Sequence, residues 1–154
     1  MDVSDEQSVR RFGRETRERF GVPDVVVCNS GVGGPSGLLW ELELADWEQT
    51  FDVNVTGTFL TLREFMPGMI ERGSGSAVLI GSMTGKRPLA GRTPCAASKL
   101  ALVGLARTLA LEAGPDGVRV NVVPRVSSPA RAWTGSSMPR PKPSPKTRRS
   151  SAPN

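Results

Sequence analysis

Three short apolar runs, at 24–28, 76–81 and 118–123, constrain this chain more than any other feature of its sequence. Val25-Val26-Val27-Cys28 and Ala77-Val78-Leu79-Ile80 are apolar without alternation. That is the pattern of parallel strands buried on both faces. The intervals between the runs are long enough for a helix. Ala45-Asp46-Trp47 opens a helical stretch to about Arg72, bent near Asn54. A second helix is predicted over 94–113. Pro94 suits its first turn, Leu100, Val103, Leu105, Leu109 and Leu111 give it a broad apolar face, and Gly114-Pro115 ends it. Strand, helix, strand, helix, strand is a succession of βαβ units, which predicts a parallel sheet with right-handed crossovers. Ahead of the first strand, Ser4 with Gln7 three residues on predicts a boxed helix start. That helix should run to about Phe20, with Val9, Phe12 and Phe20 inward, and stop at Gly21-Val22-Pro23.

The polar residues that carry chemistry sit next to these elements. Ser82-Met83-Thr84-Gly85 follows the second run, and Cys95-Ala96-Ala97-Ser98-Lys99 opens the second helix. Ser82 stands thirteen residues before Cys95, and Lys99 four after it. Residues four apart lie on one helix face, so Cys95 and Lys99 share an environment. A lysine one turn along lowers the proton affinity of a neighbouring acid, phenol or thiol. The first run leads into Asn29-Ser30-Gly31, where the glycine lets backbone approach a ligand closely. Asn54 lies in Asp52-Val53-Asn54-Val55-Thr56-Gly57, and Val118-Arg119-Val120-Asn121-Val122-Val123 forms the last strand.

In this order the four segments resemble the short-chain dehydrogenases/reductases, over about residues 1–124. The resemblance implies an α/β fold: a partial Rossmann-like, doubly wound parallel sheet. The chain begins at a pair, Asp2-Val3, that looks like the end of the family's third strand, so the first strands are expected to be missing. By resemblance the catalytic residues are Asn54, Ser82, Cys95 and Lys99. Asp2, Val3, Asn29, Ser30, Gly31 and Lys99 would bind the cofactor, NAD or NADP, with Asp2-Val3 at its adenine. The serine would hold the substrate oxygen, the lysine the nicotinamide ribose, and the asparagine a water that relays protons to the lysine. The proton donor of the family is a tyrosine, and Cys95 occupies its position in a chain with no tyrosine. The family's Thr-Gly-x-x-x-Gly-x-Gly turn, which seats a pyrophosphate against a helix N-terminus, does not occur in the 154 residues. The implied activity is hydride transfer on a small alcohol or ketone, 3-oxoacyl reductase-like. Gly33, Leu89 and Arg92 are expected at the substrate pocket. The alternative is a non-catalytic remnant that associates with intact relatives. Family dimers pack the long helix and the lysine helix against their mates, so a homo-oligomer is expected.

Composition divides the chain near residue 124. Seven of its 20 basic residues, and none of its 15 acidic ones, lie in residues 124–154. The tail 125–154 is rich in proline, serine and arginine and is expected to be disordered. An abrupt change of this kind is what a shift of reading frame in a GC-rich gene would produce. Trp133 is the tail's one aromatic, so its cations offer at most salt-sensitive, non-specific binding, which argues against nucleic acid as the partner. The absence of histidine removes His-based triads and the common metal clusters, and no metal site is expected. Two cysteines do not make a disulfide framework, and the first residues are acidic and polar, unlike a signal peptide. No run of about eighteen apolar residues is evident, so no membrane span is expected. These features together predict a cytoplasmic protein.

Overall fold

The computed structural model describes residues 1–126. The tail 127–154, with its expected disorder, lies outside the described residues. The fold is α/β. The elements are helix α1 (Glu6–Phe20), strand β1 (Val25–Cys28), helix α2 (Leu44–Phe51), helix α3 (Gly57–Arg72), strand β2 (Gly75–Ser82), helix α4 (Thr93–Ala113) and strand β3 (Val118–Arg125). The strands form one parallel sheet in the order β1-β2-β3, with Val26 opposite Ala77 and Ala77 opposite Val120. A βαβ crossover with a helix on one face joins each pair, as the spacing of the apolar runs requires.

The register sorts the side chains. Val26, Cys28, Ala77, Leu79, Val118 and Val120 share one face and are buried under Leu62, Phe65, Met66 and Met69 of α3 and Leu102, Ala106 and Ala113 of α4. The opposite face carries Val25, Val27 and Val123, each about half exposed. Among the described residues no helix layer covers it. The expectation that β1 is buried on both sides is therefore corrected: it pairs on one edge and packs on one face. Pro124 falls inside β3, opposite Gly81. It is tolerated because β3 pairs on one side only, so the missing N–H breaks no ladder bond on the other. The strand thus reaches Arg125, one residue past the expected end of the domain.

The start of α1 also differs from expectation. Asp5 is the cap, accepting hydrogen bonds from the amides of Gln7 (3.0 Å) and Ser8 (3.3 Å). The Ser4 hydroxyl donates instead to Asp2 at 2.7 Å. A carboxylate near the helix start is the stronger cap because it also meets the positive end of the helix dipole. Only Val9 of the three apolar residues is buried. Phe12 lies half exposed, edge-on to Phe65, and Phe20 is exposed at the helix end. Helix α4 is, by length and composition alone, apolar enough to cross a membrane. In this fold its Cys95, Ser98, Lys99, Leu102, Ala106 and Ala113 are buried, while Leu100 and Leu111 stay exposed.

Candidate active site

In a parallel sheet all strands deliver their following loops to one end. Ligand sites of open α/β sheets form there, beyond the carboxyl ends of the strands. β1 ends at Cys28 and leads into Asn29-Ser30-Gly31; β2 ends at Ser82. Helix α4 starts beside them and carries Cys95, Ser98 and Lys99 on successive turns. Residues far apart in sequence are thereby assembled at one place.

Between α2 and α3 the chain makes a π-helical turn, Asp52–Thr56, where a bend was expected. Such turns widen the helix by one residue and commonly re-aim a side chain. The one re-aimed here is Asn54, which is fully buried. Its Oδ1 accepts from the Val32 amide at 2.8 Å, and its Nδ2 donates to the Val32 carbonyl and to Ser98 Oγ, each at 2.9 Å. Ser98 in turn donates to the Cys95 carbonyl at 3.2 Å. Asn54 therefore ties the loop after β1 to the first turn of α4.

Gly31 sits in the angle this tie creates. A Cβ there would stand 2.7 Å from Lys99 Nζ and 2.9 Å from Asn54 Oδ1, closer than side chains pack. The glycine is needed for close approach, and its φ is not in the left-handed range. Lys99 Nζ donates to the Ile80 carbonyl at 2.9 Å. An ammonium has three N–H donors, so two remain for a ligand. Burial holds the Lys99 pKa below the ordinary lysine range, and the neighbouring Cys95 group acts in the opposite sense. The lowering is the desolvation cost of a buried cation.

Ser82 and Cys95 do not meet directly. Ser82 Oγ is 2.8 Å from Thr84 Oγ1 and accepts from the Thr84 amide at 3.2 Å. Thr84 Oγ1 lies 3.6 Å from Cys95 Sγ. A cleft of ≈ 290 Å³ between α4 and β3 has Ser82 and Lys99 in its wall, together with Gly81, Gly85, Leu100 and Pro124. Both residues line this space, which extends along α4 past Ala106 and Ala110.

Of the residues expected from sequence, Asn54, Gly31, Ser82, Cys95 and Lys99 are brought together. Asn29 and Ser30 lie exposed in the same turn. Asp2 and Val3 are placed elsewhere. Val3 packs against Gly57 at the start of α3, and the Asp2 carboxylate, its pKa lowered by hydrogen bonds from Ser4, caps its own turn. Of the expected pocket residues, Arg92 reaches over Gly33 and donates to Ser36 Oγ at 2.7 Å, while Leu89 is exposed. Thr84 and Ser98 were not singled out from the sequence. Their signals were slight: a hydroxyl two residues after Ser82, and a serine in the turn between Cys95 and Lys99.

The residues present fit one end of a nicotinamide dinucleotide. The free donors of Lys99, the close approach at Gly31 and the exposed Asn29-Ser30 turn would suit ribose hydroxyls. For the pyrophosphate, the 154 residues hold no glycine-rich turn of the Thr-Gly-x-x-x-Gly-x-Gly kind.

A family model described as short chain dehydrogenase matches residues 1–129. An uncharacterised NAD-dependent oxidoreductase of Mycobacterium tuberculosis is 45% identical over 124 residues, which cover 80% of this chain and 45% of that protein. Levodione reductase of Leifsonia aquatica is 35% identical over 133 residues, covering 86% of this chain and 48% of the relative. The structure of ElxO with NADP bound matches with a TM-score of 0.78 at 29% identity, over 80% of this chain and 50% of that one. The chain spans about half the length of the curated relatives it matches.

Proposed function

The chain belongs to the short-chain dehydrogenase family, and we propose that its site serves NAD(P)-dependent hydride transfer between a small alcohol and its ketone, in the manner of a 3-oxoacyl reductase. One observation carries this reading: Ser82, Cys95, Lys99, Asn54 and the Gly31 turn converge at the carboxyl end of a parallel sheet. The bound nicotinamide would supply or take the hydride. Ser82 orients the substrate oxygen, Lys99 holds the ribose with its two free donors, and Asn54 fixes the loop against which that ribose lies. Cys95 stands where the family places its proton donor. Levodione reductase, a similar protein, supports a ketone as the substrate class by its name.

A groove of ≈ 420 Å³ between α3 and α4, lined by Phe59, Met66, Ile70, Leu105 and Leu109, suits packing against a second copy or an intact relative. Such association is the second reading, a non-catalytic partner. The Cys95 replacement favours it. One assay separates the two. NADH and NADPH oxidation is followed with a panel of 3-oxoacyl and cyclic ketones at millimolar cofactor, for the native chain, Ser82→Ala and Lys99→Met. The first reading expects ketone-dependent oxidation that both substitutions abolish. No oxidation by the native chain, or oxidation indifferent to both substitutions, refutes it.

A further inference from the structure

We propose that Thr84 is a positioning residue that links the Cys95 thiol to Ser82 and aims the Ser82 proton at a carbonyl oxygen. The inference rests on the reading above. Its problem is one of reach. A cysteine side chain ends roughly one aromatic ring short of where a phenol hydroxyl would lie, and proton transfer needs about 2.6–3.2 Å or a bridging group. Thr84 Oγ1 is within hydrogen-bond reach of both groups, 3.6 Å from Cys95 Sγ and 2.8 Å from Ser82 Oγ.

Counting donors gives the chain a direction. A serine hydroxyl has two lone pairs and one proton. One lone pair of Ser82 Oγ already accepts the Thr84 amide. When the second accepts the Thr84 hydroxyl, the Ser82 proton has no partner within the chain and is free to point into the cleft. The Thr84 oxygen then keeps lone pairs for the Cys95 S–H. In the opposite direction Ser82 would spend its proton on Thr84, and a carbonyl would find no donor there.

The proton balance closes. As the carbonyl oxygen gains negative charge, the Ser82 O–H bond breaks and a substrate O–H bond forms. The Thr84 proton passes to Ser82, and the Cys95 proton to Thr84. A thiolate is left at Cys95, one helical turn from the Lys99 ammonium, and water reprotonates it after product leaves. Alcohol oxidation runs the same transfers backwards.

The test uses infrared spectroscopy of the full chain, with Cys28→Ala to leave one thiol and Cys95→Ala to assign its S–H stretching band. Thr84→Val has nearly the same shape and is checked for folding by circular dichroism. Loss of the Thr84 hydroxyl should shift the Cys95 band to higher frequency, and Thr84→Ser should leave it in place. In the reductase assay, Thr84→Val should lower kcat by about 10²-fold with little change in KM, and Thr84→Ser should rescue it. An unshifted band in Thr84→Val overturns the relay even where ketones are reduced. A shifted band in a native chain that reduces no ketone overturns the functional reading on which the relay depends.

Discussion

Asn54→Ala tests the architecture of the site most directly. The alanine removes three hydrogen bonds, two to Val32 and one to Ser98. Val32 is 40% exposed, and its two bonds to Asn54 are only partly buried. Those two bonds should cost about 1 kcal/mol each, the net worth of an ordinary hydrogen bond. Ser98 is fully buried. It keeps its own bond to the Cys95 carbonyl but loses the donor that Asn54 supplied, which costs about 1–2 kcal/mol. The sum is roughly 3–4 kcal/mol, with the cavity left by the amide pushing towards the upper end. Urea unfolding followed by pulse proteolysis reads this. With a slope of about 1–2 kcal/mol per molar urea, the midpoint should fall by roughly 2 M. Ser98→Ala alone should cost about 1–2 kcal/mol, and the two substitutions should be non-additive by about 1 kcal/mol, because they share a bond. A loss under about 0.5 kcal/mol for Asn54→Ala, or strict additivity with Ser98→Ala, would show that the buried amide does not tie the loop to α4.

Three further outcomes are expected. Burial lowers the Lys99 pKa below 10.5, so the folded chain sheds this proton before the unfolded chain does. Stability should therefore rise with pH between the lowered folded value and 10.5, and Lys99→Met should flatten that slope in urea titrations at several pH values. Burial pushes the Cys28 thiol up to about 11, so iodoacetamide at pH 8 should label Cys28 only as fast as the chain unfolds; rapid native-state labelling, located by mass spectrometry, would contradict its place in the core. The uncharged edge of β1, with Val25 and Val27 exposed, should drive concentration-dependent association that Val27→Lys reduces, as read by light scattering; a native chain that stays monomeric at all concentrations would oppose this.

Most of the fold was legible because it rests on period and punctuation. The three strands follow from runs of β-branched residues, and the helix α4 from Pro94, its apolar face and Gly114-Pro115. The bend near Asn54 was legible too, although the sequence does not say that it takes the form of a π-helical turn. What escaped depends on long-range contact. Phe12 and Phe20 satisfy the helical period of α1, but that helix lies chiefly against α3, and only the stripe through Val9 reaches the core. The run Val25–Cys28 reads as buried on both faces, since composition cannot tell whether a layer covers the second face. Ser4 and Asp5 compete for one cap, and residue type favours both.

The site divides along the same line. Ser82, Cys95 and Lys99 were legible through their spacing, because a helix places residues four apart on one face and the loop after a strand delivers its first residue to the sheet's end. Thr84 and Ser98 were not, because a hydroxyl beside a known motif has no period and no charge to mark it. Their value appears only when oxygens and sulfur are located. Ser98 gives Asn54 a buried partner, and Thr84 stands in the gap that a short side chain at position 95 leaves. That gap changes how the replacement of a phenol by a thiol should be judged. The difficulty is distance, and a threonine hydroxyl within reach of both Cys95 and Ser82 is the kind of group that can span it. The chemistry of the site is therefore decided by where the Ser82 proton points, which the contacts of Thr84 control.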